Sequence, residues 1–121
     1  MQVESLTNNE VRLIGRVSAE PIERELPSGD LIVSLRVIVD RPRQMDDLRR
    51  KVDVIDLACW SARTRAAAMR RLPGDSVLVI GCLRRRFFTT AQGRTSRYEV
   101  EVERLKKITA KELAAIQTRP S

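Results

Sequence analysis

The chain has 121 residues, 42% of them apolar, a formal charge of +7 and no histidine. That length sustains one core and not two, and the longest apolar runs, residues 77–80 among them, are far too short to cross a bilayer, so no membrane partner is expected. Two cysteines without CxxC spacing, in a chain lacking histidine, exclude a standard structural zinc site; neither metal nor cofactor is expected, and Cys59 and Cys82 read as small buried hydrophobes.

Residues 1–9, MQVESLTNN, read as a flexible lead-in with neither the basic start nor the apolar middle of a secretory signal, which predicts a cytoplasmic protein. Over residues 10–18, Val11, Leu13, Gly15 and Val17 alternate with Arg12, Ile14, Arg16 and Ser18, the period of a half-buried strand. Gly15 inside it predicts a bulge or a close backbone approach. Pro21 breaks the pattern, residues 22–26 can begin the next strand, and Pro27-Ser28-Gly29-Asp30 is turn chemistry. Residues 31–39 alternate again, with bulk on both faces, and read as a central strand. The polar stretch DRPRQMDDLRRK, residues 40–51, has the character of an arm or a hairpin tip.

Residues 52–60 form the next predicted strand, with Val52, Val54, Asp56, Ala58 and Trp60 on one face and Asp53, Ile55, Leu57 and Cys59 on the other. The single Trp thus stands beside small or polar neighbours. Ser61 can cap a helix over residues 62–71, ended by Leu72-Pro73-Gly74-Asp75. Residues 76–103, SVLVIGCLRRRFFTTAQGRTSRYEVEVE, read as two long strands joined by a polar arm with five arginines. Alternation puts Arg84, Arg86 and Phe88 on one side and Leu83, Arg85 and Phe87 on the other. Thr109 and Glu112 form a capping box for a helix over residues 110–117.

Charge is segregated along the chain. Residues 1–40 sum to −3 (four cations, seven acids), 41–97 to +9 (fourteen and five) and 98–121 to +1 (five and four). A localised basic surface concentrates a polyanion, and cations beside an aromatic ring suit a single nucleic-acid strand, whose phosphates pair with Arg and whose bases stack. An enzyme is not expected: no histidine is available as base, Asp53 and Asp56 point to opposite faces, and Cys59 has no evident activator, so no catalytic residue is assigned. The order strand, strand, strand, helix, strand, strand predicts an all-β five-stranded OB-fold barrel with its helix between the third and fourth strands and a short C-terminal helix. The domain takes in residues 10–108, with the helix and tail at 109–121.

The run NNEVRLIGRVSAEPIERELPSGDLIVSLRV, the strand ending in Cys59-Trp60, and LPGDSVLVIGCLRRRFFTTAQGRTSRYEVEVERL together resemble the bacterial single-stranded DNA-binding protein family over residues 8–108. The resemblance implies a homotetramer that binds single-stranded DNA without catalysis in replication, recombination or repair, associated with the nucleoid. The family's aromatic positions fall on Trp60 and Phe88, its basic ones on Arg84 and Arg86, with Arg16 a further candidate. Arg41, Arg43, Arg49, Arg50, Arg94 and Arg97 on the two arms complete the expected phosphate path. Its oligomer interface would use residues 11–17. Two departures stand out. Val54 occupies a position where the family usually has Trp, and no aromatic lies around Asp40, Arg41 and Pro42, so fewer stacking contacts and a steeper salt dependence are expected. The chain also ends at Thr118-Arg119-Pro120-Ser121 where replicative members carry an acidic-tipped tail, which predicts a short paralogue without that route to partner enzymes. The alternative reading is an OB-fold module serving protein contacts or RNA.

Overall fold

The computed structural model describes residues 6–42 and 51–117. Six strands and two helices follow one another as β1 (Val11–Val17), β2 (Ile22–Glu25), β3 (Leu31–Asp40), β4 (Val52–Cys59), α1 (Ala62–Met69), β5 (Ser76–Thr90), β6 (Gly93–Lys107) and α2 (Ala110–Gln117). Five of the strands close a ring: β1 pairs with β5, β5 with β6, β6 with β4, β4 with β3, and β3 returns to β1. All pairings are antiparallel except β4–β6, which is parallel at Leu57↔Val100 and Ala58↔Glu101. This is the OB-fold the element order predicted, with α1 between the third and fourth ring strands.

One element differs from expectation. Residues 22–25 do not begin β3 but form a separate strand, β2, paired only with β3 through Ile22↔Ser34 to Glu25↔Leu31. The cause is the turn at Gly29, whose φ of 90° folds the chain back, with the Gly29 N–H donating to the Leu26 carbonyl at 2.8 Å. β2 therefore lies outside the ring, exposed along its length.

Alternation decides the core. The inward residues Val33, Leu35 and Val37 of β3, Leu57 and Cys59 of β4, Val77 and Val79 of β5, and Val100 and Val102 of β6 form one buried cluster under Ala68 of α1. Each such aliphatic side chain, fully buried, contributes about 1.5–3 kcal/mol. Ring closure between β1 and β3 rests on two register pairs, Arg16↔Ile38 and Val17↔Val37. Gly15 answers the either-or posed by its sequence context: a Cβ there would strike the Ile38 carbonyl oxygen, so it marks a close backbone approach. Ser61 caps α1 as predicted, its hydroxyl accepting from the Thr64 N–H at 3.1 Å.

The Thr109–Glu112 capping box is present in both directions: Glu112 N–H donates to Thr109 Oγ1 at 3.1 Å and Thr109 N–H to Glu112 Oε1 at 3.3 Å. The hydrogen bond from Lys106 (3.1 Å), followed by those from Thr109, holds the Glu112 carboxyl below its ordinary 4.5. A carboxylate whose folded pKa is depressed stabilises above its unfolded value and loses that contribution as pH falls through the folded one. Acidification through and below the ordinary glutamate range should therefore fray α2 while the barrel amides stay protected in NMR hydrogen exchange. Equal loss of protection in both would contradict this.

Candidate nucleic-acid interface

The β5–β6 hairpin is longer than the barrel needs. β1 covers β5 only from Ser76 to Gly81, and beyond it the Asn9 side chain brackets Leu83, accepting its N–H and donating to its carbonyl, both at 2.8 Å. β4 pairs with β6 only at Val100 and Glu101. Beyond the buried Glu99 at its base the hairpin therefore extends past the barrel as a two-stranded ribbon, pinned by the register Arg84↔Glu99, Arg86↔Arg97 and Phe88↔Thr95.

Residues directly opposite in an antiparallel pair share a face. Arg84, Arg86, Phe88, Arg97 and Glu99 thus lie together, as predicted for the first three. Arg86 and Arg97 face each other as like charges, and the clash is relieved because each guanidinium lies over a different ring. Arg86 is 4.7 Å from the centroid of Trp60, and Arg97 is 5.5 Å from that of Phe88. Trp60 follows β4 directly, and Arg65 of α1 fixes its backbone by donating to its carbonyl at 2.9 Å.

Beside these rings, on the outer surface of β3 and β4 between β2 and β6, is a groove of about 430 Å³. Its floor is crossed by the register pair Arg36↔Asp56, joined at 2.9 Å. Glu20 and Arg24 wall it on the β2 side, Arg97 and Glu99 on the ribbon side. Phe88 connects to it through one side chain and Trp60 through two: Arg97 covers Phe88, while Glu99 accepts from Arg86 (3.0 Å), which covers Trp60.

The electrostatics are more balanced than the segment charge of +9 implied. Groove-lining cations Arg24, Arg36 and Arg97 are matched by Glu20, Asp56 and Glu99. Arg84 donates to Glu101 at 3.0 Å, a pairing that raises the Arg84 pKa further. Arg16 pairs with Asp40 at 3.1 Å. Arg41 pairs with Asp53 at 2.6 Å, and that hydrogen bond holds the Asp53 carboxyl below its ordinary value. Burial pushes the Cys59 thiol up to about 12 and raises Cys82 as well, so neither is a thiolate at neutral pH.

Of the residues singled out from sequence, the structure gathers Trp60, Phe88, Arg84, Arg86 and Arg97 on the groove side. Arg94 stands on the opposite face of the ribbon, as the partner of Thr89. Arg16 and Arg41 are ion-paired outside the groove lining. Arg43, Arg49 and Arg50 lie outside the described residues. Sequence reasoning missed Arg36, Asp56 and Glu99. The alternation of β3 and β4 already put Arg36 and Asp56 outward, and that was the available signal.

A barrel whose third and fourth strands carry an open groove, flanked by the β1–β3 connection and the β5–β6 hairpin, is the oligomer-binding type of OB-fold. The chain belongs to the single-strand binding protein family, whose description matches residues 8–108; the family is one of non-catalytic DNA-binding proteins. It is 34% identical over 88 residues to a single-stranded DNA-binding protein of Deinococcus radiodurans, covering 70% of this chain and 29% of that one. A second such protein, from Oceanobacillus iheyensis, is 29% identical over 87 residues, covering 72% and 54%. The chain thus spans about half or less of these relatives' length in the matched region. A Plasmodium falciparum SSB solved in complex with ssDNA has the same fold, with a TM-score of 0.71 at 24% identity over 90% of this chain and 100% of that one. No helix among the described residues is long and apolar enough to cross a membrane.

Proposed function

We propose that this protein binds single-stranded DNA without catalysis and largely without sequence preference, in support of replication, recombination or repair. The observation that carries the reading is the shared face of Trp60 and Phe88, each ring covered by an arginine at the edge of the groove. An exposed cation–π contact contributes only about 0.5–1 kcal/mol. A base stacked on the same ring contributes on the order of 1–3 kcal/mol. Arg86 and Arg97 therefore act as placeholders: an incoming base takes the ring and the guanidinium turns to the adjoining phosphate. The carboxylates of Glu99 and Glu101 hold Arg86 and Arg84 beside the groove and are exchanged for phosphates on binding. The ribbon and groove lie on one copy, and β1 offers at residues 11–14 an edge that does not pair with β3, where a second copy of this chain can pair to build the oligomer.

The test is a titration of Trp60 fluorescence with oligo(dT), oligo(U) and duplex DNA at low and high salt. Saturable quenching by oligo(dT) that weakens with salt, with a lesser response to the other two, is the expected result. A response to oligo(U) alone would move the assignment to RNA, and no response to either single strand at low salt would overturn it. Glu99 supplies a sharper check, because it is only 6% exposed and competes with phosphate for Arg86. Glu99→Gln should tighten oligo(dT) binding severalfold at low salt and steepen the salt slope. Unchanged or weaker binding by a folded variant would show that Arg86 does not exchange partners.

A further inference from the structure

The ribbon has a second face. Inside the barrel the row Val77, Val79, Gly81 is core, but past Leu83 the same row continues into solvent as Arg85 and Phe87, opposite Tyr98 and Ser96. Phe87 is 55% exposed and Tyr98 60%. Phe87 lies between two guanidinium groups, Arg85 at 5.1 Å and Arg94 at 5.0 Å, and Arg85 also stands 5.6 Å from Tyr98. Arg85 is oriented by donating to Ser96 Oγ at 3.2 Å. Charge separates the two faces. Arg84 and Arg86 on the groove side are each held by a glutamate. Arg85 and Arg94 have no carboxylate partner among the described residues, and the back row of Leu83, Arg85, Phe87, Thr89, Arg94, Ser96 and Tyr98 contains no acid. Two exposed rings beside two uncompensated arginines offer a single strand the same kind of contact that the groove side does.

We infer that the back of the ribbon is a second single-strand contact, Phe87 and Tyr98 stacking bases while Arg85 and Arg94 take phosphates, so that one strand passes over the hairpin tip and holds the ribbon on both faces. The path is short. At about 3.3 Å per residue, the end of β5 lies only about 7 Å beyond Phe88, and Phe87 is its immediate neighbour on the other side. The site deepens the proposed function and rests on it, and it explains why a groove with balanced charge belongs to a chain of net charge +7.

The experiment compares two double variants, Phe87→Ala with Tyr98→Ala and Arg85→Gln with Arg94→Gln, with the unaltered protein. Binding of a short and a long labelled oligo(dT) is read by anisotropy, the short one sized for the groove alone. Thermal melting and sedimentation accompany both. All four side chains are solvent-exposed, so folding should survive. The expected result is unchanged short-oligomer affinity, at least tenfold weaker long-oligomer affinity for the aromatic pair, a flatter salt slope for the arginine pair, and a smaller site size for each. Equal affinity for the long oligomer, or equal losses for both lengths, would overturn the inference. So would a change in sedimenting mass, which would make the back face a contact between copies. Failure of the unaltered protein to bind either length would instead remove the single-strand reading itself.

Discussion

Phe88→Ala lowers the affinity for a short oligo(dT) roughly 5- to 150-fold, the loss expected when one stacked base, on the order of 1–3 kcal/mol, is removed. The truncation leaves the barrel intact, because Phe88 is 40% exposed on an overhanging ribbon and lies outside the buried cluster. Trp60→Ala produces a loss of the same order. The two effects do not add fully, since Arg86 and Arg97 face each other across the strands and each is released when its ring is removed. Anisotropy of a labelled oligonucleotide measures both variants, Trp60 being unusable as a reporter in one of them. A folded Phe88→Ala protein with unchanged affinity would make Phe88 a packing residue. Neither Val54 nor the described residues around Asp40 supplies another ring, so these two carry the groove's stacking, and losing both should reduce short-strand binding to its salt-sensitive remainder.

Gly81→Ala is expected to be the most damaging single methyl group in the β5–β6 hairpin. The β5–β6 register slips between Ile80 and Gly81, where Ile80 faces Arg104 and Gly81 faces Val102, leaving Glu103 as the extra residue of a bulge. A Cβ at Gly81 would collide with the Glu101 backbone carbonyl and press on Val100. Backbone cannot yield as a flexible side chain can, so the ladder must shift. Overpacking of this kind costs about 1–3 kcal/mol or more, which lowers Tm by on the order of 10 °C in a domain of this size. A melting temperature within about a degree of the unaltered protein would show that the bulge absorbs the methyl group. The position also bears on the site, because the bulge sets the direction in which Arg84, Arg86 and Phe88 leave the barrel.

What could be read from sequence follows from how local each signal is. Alternation has a period of two residues, so the shared face of Arg84, Arg86 and Phe88 was legible, as were the cap at Ser61 and the capping box at Thr109, each settled within four residues of chain. Pairings between distant segments were not. Glu99 and Glu101 neutralise Arg86 and Arg84 only because of a register that itself contains a bulge, and Asp40 reaches Arg16 across the β1–β3 closure. A charge sum over residues 41–97 cannot see acids that lie outside the window but opposite it in space. For the same reason it overstated the groove and hid the back of the ribbon. Arg94 and Arg97, three residues apart, fall on opposite faces by alternation, but which face each takes depends on the tip between Thr90 and Gly93, where Gly93 adopts a φ of 116°. β2 was legible as the beginning of a strand but not as a strand of its own, because four exposed residues next to a turn carry no core pattern.

Ultraviolet crosslinking of oligo(dT) to the protein, with the joined residues located by mass spectrometry, tests the central claim most directly, since thymine photo-adds to side chains it stacks upon. Crosslinks at Trp60 and Phe88, suppressed by unlabelled oligo(dT) and by salt, are the predicted result. Crosslinks confined to β1 or α1, with both aromatic positions unmodified in a protein that binds the strand, would contradict it.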